Sequence, residues 1–321
     1  MTTIKCNHAK VIRMVRGRTY TVFIILTLMV AYPFTPMVEL HDFENNETSG
    51  RAQTVWSGSM VLNNHFTVPV TDELIISSCT NVTMSSGVRI YVEGRLTVEG
   101  TKSCPVYFDY AGGGDHMGIQ FNTSSNGRGS RIDNASIIHS TYGITIYGSN
   151  PYIANVTIFD ADDVAIDMFN SATPTIRDLE INEAGPDWVV PTYWRYGIGL
   201  SVGAGSAPNV DGLKVSNAVT RGLNMWGNSG GLFRNISIDN ISGATLAISA
   251  GIWVEDSIPL IQFAQVDRSD HGVFVRHITD GATTRAVIKT WKSQIQCTRR
   301  WFWTKKIIQI TQITRAQSSM D

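Results

Sequence analysis

GLSVGAGSAPNVDGLKV, residues 199–215, and GLNMWGNSGGLFRNISI, residues 222–238, decide the fold. Each has a short alternating strand, then a turn of Gly, Ser and Asn, then a second strand ending on a β-branched residue. The same unit stands upstream as GITIYGSNPYIANVTI, residues 143–158, and AIDMFNSATPTIRDLEI, residues 165–181. A degraded copy, GIWVEDSIPLIQFAQV, covers residues 251–266. Four units carry a proline at the same place (Pro151, Pro174, Pro208 and Pro259), and Gly231 stands there in the fifth. A unit of about 23 residues cannot bury its own apolar face, so neighbouring units must stack.

Working outward, Gly118 and Gly143 open coils 25 residues apart, and Gly199 and Gly222 open coils 23 apart. From Ala165 to Gly199 the gap is 34, and the surplus falls in EAGPDWVVPTYWRYG, residues 183–197. Repeats keep their strands in register and loop out insertions, often on a binding face. Upstream, in IYVEGRLTVEG, alternation places Ile90, Val92, Leu96 and Val98 in strands on either side of a Glu93-Gly94 turn. Ordered coils are expected over residues 55–280, after a polar linker at 35–54. At about 4.8 Å per rung this gives roughly nine or ten coils and a rod about 45 Å long.

The stretch VRIYVEGRLTVEGTKSCPVYFDYAGGGDHMGIQF, residues 88–121, adds a resemblance. Its Gly94, Leu96, Gly100, Thr101, Pro105, Met117, Gly118 and Ile119 resemble the opening coils of exported bacterial and archaeal right-handed parallel β-helix proteins, a group similar in outline to pectate lyases. The resemblance implies an all-β chain forming a single-stranded right-handed parallel β-helix. It implies far less about activity, because one fold hosts many functions.

Charge is segregated. Residues 1–18 hold five Lys or Arg and no acid. Residues 19–284 hold 13 bases against 26 acids, a net of -13, and residues 285–321 hold eight bases and one acid, a net of +7. An acidic body argues against nucleic acid as a partner, since phosphate contacts need surplus positive charge. The basic start precedes YTVFIILTLMVAYPF, Tyr20 to Phe34. That pattern fits a signal peptide or an uncleaved signal-anchor within residues 1–34, with residues 19–34 tethering the chain to a membrane. The expected location is therefore secreted or cell-surface. Residues 281–321 lose glycine and gain bases and aromatics, and are read as an atypical tail or cap.

Cys79 and Cys104 lie 25 residues apart, close to one period, so they can meet on adjacent coils as a disulfide or sit as two buried thiols. The cluster FDADDVAIDMF brings Asp160, Asp162, Asp163 and Asp167 close in sequence. Asp160, Asp162 and Asp163 are candidate Ca²⁺ ligands, because hard cations take carboxylate oxygens. Asp163 with Arg177 is the candidate catalytic pair, since pectate-lyase-like enzymes resemble this in combining Ca²⁺-binding acids with an arginine. The histidine motif of the polygalacturonase-like group is incomplete here, with only SDHG ending at Gly272 and VRH ending at His277. The insertion supplies Trp188, Tyr193, Trp194, Arg195 and Tyr196, rings that stack on sugar faces and a cation for an acidic group. Trp226 and Trp253 extend that aromatic face if they point outward and belong to the core if they point inward. His65, His116, His139, His271 and His277 lack metal spacing and are expected in turns or at the surface. Sequons at Asn134, Asn155 and Asn235 occupy equivalent places before the second strand, where asparagine suits left-handed turns.

Together these features describe an exported, non-catalytic β-helix surface protein for adhesion or polysaccharide recognition. It requires no cofactor, although it has a candidate Ca²⁺ site, and nothing in the repeat sets an oligomeric state. The alternatives are a polysaccharide lyase or glycoside hydrolase acting on acidic polysaccharide, and a purely structural rod.

Overall fold

A computed structural model describes residues 51–185, 196–241, 249–278 and 287–292. These residues form a parallel β-solenoid with three faces. The first face begins with Gln53–Trp56, Glu73–Ser77 and Arg95–Glu99. It continues in the opening residues of Arg131–Tyr147, Tyr152–Phe169, Thr175–Ala184, Asn209–Ala218, Leu232–Ile241 and Leu260–Ser269, and ends at Val287–Lys292. Those are ten rungs, each hydrogen-bonded in parallel to the next. The third face has nine: Phe66–Val68, Ile90–Val92, Ile119–Phe121, the ends of Arg131–Tyr147 and Tyr152–Phe169, then Ile198–Val202, Arg221–Met225, Ala250–Glu255 and Val273–Arg276. The second face lies between them in sequence, in segments such as Asn81–Met84 and Val106–Tyr110. The coil number agrees with the repeat arithmetic. The ladder runs past the expected end at residue 280, because Val287–Lys292 pairs with Leu260–Ser269.

Two columns of left-handed residues turn the chain between faces. Asn134, Asn155, Asp178, Gly212, Asn235 and Phe263 have φ between 47° and 79° and stand at one corner. His139, Asp160, Glu183, Asn217, Asn240 and Arg268 have φ between 44° and 60° and stand at the next. Asparagine and aspartate reach this region more readily than most side chains. The three aligned sequons are therefore corner residues, as their composition indicates.

The glycines that open coils have a further cause, close approach of the next coil, although Ala165 opens one unit. At Gly222 a Cβ would lie 2.5 Å from Ile238 Cγ2 and 2.8 Å from the Gly251 carbonyl, and at Gly118 it would lie 1.9 Å from the Tyr142 carbonyl. At Gly222 and Gly118 only a residue without a side chain lets the coils approach that closely. Inside, Ile, Val, Leu, Met and Phe from all three walls make one continuous core, with Phe108, Phe121 and Phe233 fully buried.

Cys79 and Cys104 are joined as a disulfide, with Cα atoms 4.8 Å apart on adjacent coils. His116 departs from the expectation of a surface histidine, for it is 0 % exposed. Its Nδ1 accepts from Gly118 N at 2.9 Å, so the ring proton sits on Nε2 and is donated to the Ile138 carbonyl at 3.0 Å. Burial pushes its pKa down to about 4, against the pull of the Ile138 carbonyl. Among the described residues no helix is long and apolar enough to cross a membrane. The apolar segment at residues 20–34 lies outside the described residues, as do residues 293–321.

Candidate functional site

The third face carries the site. Its inward residues are apolar and fully buried, for example Leu200, Leu223 and Ile252. Alternation then points the residue after each of these outward. The outward column reads Thr145, Asp167, Ser201, Asn224, Trp253 and Phe274 over successive coils. A flanking column, one position before the coil-opening glycine, reads Tyr142, Val164, Ile198, Arg221 and Ala250.

These columns line a groove enclosing about 120 Å³, bounded by Val164, Asp167, Ile198, Ser201, Arg221, Asn224, Trp226 and Glu255. Trp226 lies across the bare backbone of Gly203, where a Cβ would stand 2.2 Å from the indole ring, and remains 37 % exposed. Trp253 also belongs to this outward column. It is covered, however, by Phe274 stacked 4.2 Å away, by Arg221 at 4.0 Å and by Arg276 at 4.9 Å. Both tryptophans therefore extend the third face, but only Trp226 offers an accessible ring.

The polar groups are tightly connected. Arg221 Nη1 donates to Asn224 Oδ1 at 2.7 Å. Glu255 accepts from Trp253 Nε1 at 3.1 Å and from Arg276 Nε at 2.6 Å. Burial lowers the Arg221 pKa to about 10; Glu255 pulls it up and Arg276 pushes it down. At the upper end, burial raises the Tyr142 phenol, reinforced by its hydrogen bond to Asp163 and by the charges of Asp163 and Asp167.

The residues singled out in the sequence are dispersed. Asp163 is buried beside Tyr142 at the start of the third face. Asp160 is at a corner, with Oδ2 3.8 Å from His139 Nε2, and His139 is held at 2.9 Å by Asp109. Asp162 lies between the two, half-buried. Among the described residues no group of three or more His, Cys, Asp or Glu side chains is placed to hold a metal ion. Arg177 is on the first face, paired with Asp211 at 2.9 Å, and so does not share a face with Asp163. Trp188, Tyr193, Trp194 and Arg195 lie outside the described residues. Tyr196 is described, 40 % exposed, with its carbonyl accepting from Thr220 Oγ1 at 2.6 Å.

Ser201, Arg221, Asn224 and Glu255 were not singled out by motif. A positional signal for three of them exists: aligning the units on their opening Gly or Ala stacks Asp167, Ser201, Asn224 and Trp253 two places later, and Arg221 one place before.

The family model described as the right-handed β-helix region matches residues 71–242 and, overlapping, 117–277. No curated protein sequence matches the chain. Among solved structures, the chain is similar to an alginate lyase from Paenibacillus sp. str. FPU-7, at 14% identity over 67% of this chain and 80% of that one, with a TM-score of 0.45. It is also similar to the catalytic domain of a GH87 α-1,3-glucanase in complex with nigerose, at 12% identity over 74% of this chain, with a TM-score of 0.33. There it spans 53% of the other chain. A tailspike protein from Escherichia coli O157:H7 bacteriophage CAB120 matches at 8% identity over 74% of this chain and 38% of that one, with a TM-score of 0.35.

Proposed function

The chain belongs to the right-handed β-helix family, and on that premise we propose that it is an exported surface protein whose third face recognises polysaccharide without cleaving it. The observation that carries the reading is Trp226. An indole laid across Gly203 and left accessible is a platform for the apolar face of a sugar, and Asp167, Ser201 and Asn224 beside it offer partners for hydroxyl groups. A solenoid repeats such positions at each rung, which suits an extended polymer better than a small molecule. The Cys79–Cys104 bridge supports export, because disulfides persist in oxidising compartments. The basic and apolar N-terminal pattern supports it further.

A lyase or hydrolase needs a base, a group that stabilises developing charge and a groove that holds both. The separation of Asp163 from Arg177 onto different faces supports binding over that chemistry. The test is a glycan-array screen of the purified chain with and without Ca²⁺, followed by incubation of each hit with the protein. Saturable binding without new unsaturated uronates or reducing ends is the expected result. Turnover that disappears on substituting Asp163 would replace this reading with the enzymatic one, and no binding across neutral and acidic glycans would overturn it.

A further inference from the structure

The exposed rings of the third face form a line. A second outward column runs beside Thr145, Asp167, Ser201 and Asn224, two positions further along each strand. It reads Asn122, Tyr147, Phe169, Gly203, Trp226 and Glu255 over successive coils. Tyr147 is 40 % exposed, and its ring meets that of Phe169 edge to face at 4.9 Å. Gly203, the next position, has no side chain, and the Trp226 indole occupies the space where one would stand. Aromatic groups therefore cover the rungs of Tyr147, Phe169 and Gly203 without a gap. At about 4.8 Å per rung the strip is about 10 Å long, more than one pyranose ring needs. Its ends are polar: Asn122 donates to Glu93, and Glu255 accepts from Arg276 Nε at 2.6 Å. An exposed apolar strip rimmed by polar residues marks an interaction site.

The surrounding charges select the occupant. Asp167 stands on the rung of Phe169, in the neighbouring column. Three arginines of this face already serve the protein. Arg221 is 5 % exposed and packed on Trp253, Arg276 is bonded to Glu255, and Arg89 donates to the Met117 carbonyl and to Gln120. A polyanion laid on the strip would bring its carboxylates to Asp167, and like charges placed together suppress binding. An uncharged sugar chain meets no such opposition. It offers apolar ring faces to the aromatic strip and hydroxyl groups to Asp167 and the Tyr147 phenol. We propose that Tyr147 and Phe169 extend the Trp226 platform into a strip that holds neighbouring sugars of a neutral polysaccharide and discriminates against uronates. This rests on the reading that the third face binds polysaccharide.

The test titrates dimers and hexamers of β-1,4-linked glucose, mannose and xylose, and a galacturonate hexamer, into the native chain, Tyr147→Leu, Phe169→Leu and Trp226→Ala, without added metal. Circular dichroism and melting temperature confirm that each variant is folded. At least one neutral hexamer should bind, about tenfold more tightly than its dimer and at least about tenfold more tightly than the galacturonate hexamer. Leucine keeps apolar bulk and removes the ring, so Tyr147→Leu and Phe169→Leu should each lose most of the gain with length while dimer affinity holds. Trp226→Ala should weaken both lengths. Should a leucine variant fail to fold, the hexamer-to-dimer and neutral-to-acid ratios of the native chain decide. A length gain kept by either leucine variant, or equal affinity of the native chain for dimer and hexamer, would overturn the strip. Galacturonate bound as tightly as the best neutral hexamer would overturn the choice of a neutral ligand. Each of these leaves recognition through Trp226 standing. No binding of any of these oligosaccharides would overturn both this inference and the reading beneath it.

Discussion

The first and third faces are built from the same coils and treat charge in opposite ways. On the first face Arg177, Asp211 and Arg234 follow one another down the outward column, and Asp211 takes Arg177 at 2.9 Å and Arg234 at 3.9 Å. Alternating sign satisfies each charge within the ladder. These side chains are about a third exposed, so each pair is worth only about 0–1 kcal/mol. On the third face Arg221 is buried against Trp253, and Glu255, whose charge acts on it, is bonded to Arg276. The lesson is that a rung position alone does not make a site. The residues above and below it decide whether a charge is paired along the ladder or buried against a ring.

The comparison can be broken by perturbing scaffold and site separately. The largest effect is expected at the bridge. Replacing Cys79 and Cys104 together by serine should lower the unfolding free energy by about 2–4 kcal/mol, read as a fall in denaturation midpoint. Glycan affinity should hold, because the bridge joins coils upstream of the groove. A loss of affinity in a variant that is still folded would show that scaffold and site are not separable.

Acid should act next through His116. Its folded pKa of about 4 is below the unfolded value of about 6.5. The unfolded chain therefore binds the proton first, and stability present above pH 6.5 is lost as pH falls toward 4. The loss is up to about 3 kcal/mol. His116→Gln should flatten that part of the stability profile, and an unchanged slope would contradict the assignment of a buried, neutral ring.

Gly203→Val should displace the Trp226 indole and reduce glycan affinity by about tenfold, equivalent to about 1.4 kcal/mol, with a smaller change in stability. Undiminished affinity would remove Trp226 from the site. The smallest effect belongs to the first face, where Arg177→Gln should change stability by less than about 1 kcal/mol and leave binding unaltered.

The sequence made the scaffold legible because the scaffold repeats. Coil-opening glycines, corner asparagines and turn prolines recur wherever the backbone requires them, and the resulting coil number agrees with the structure. The site was less legible. Side-chain direction follows a period of two only within one strand, and six successive coils contain two left-handed corners that reset the count. Trp226 and Trp253 were therefore recognisable as aromatic while their direction stayed open. Asp163 and Arg177 are 14 positions apart in the chain but belong to different faces, and sequence proximity concealed that. His116 was hidden for another reason: nothing local reveals that a neighbouring coil will cover it and supply the Ile138 carbonyl.

The most direct test of the central claim is a paired titration of one array-identified polysaccharide into the native chain, Trp226→Ala and Arg177→Gln, all verified as folded. The account predicts that Trp226→Ala binds at least about tenfold more weakly and that Arg177→Gln binds as the native chain does. Full affinity in Trp226→Ala, or an equal loss in Arg177→Gln, would contradict it.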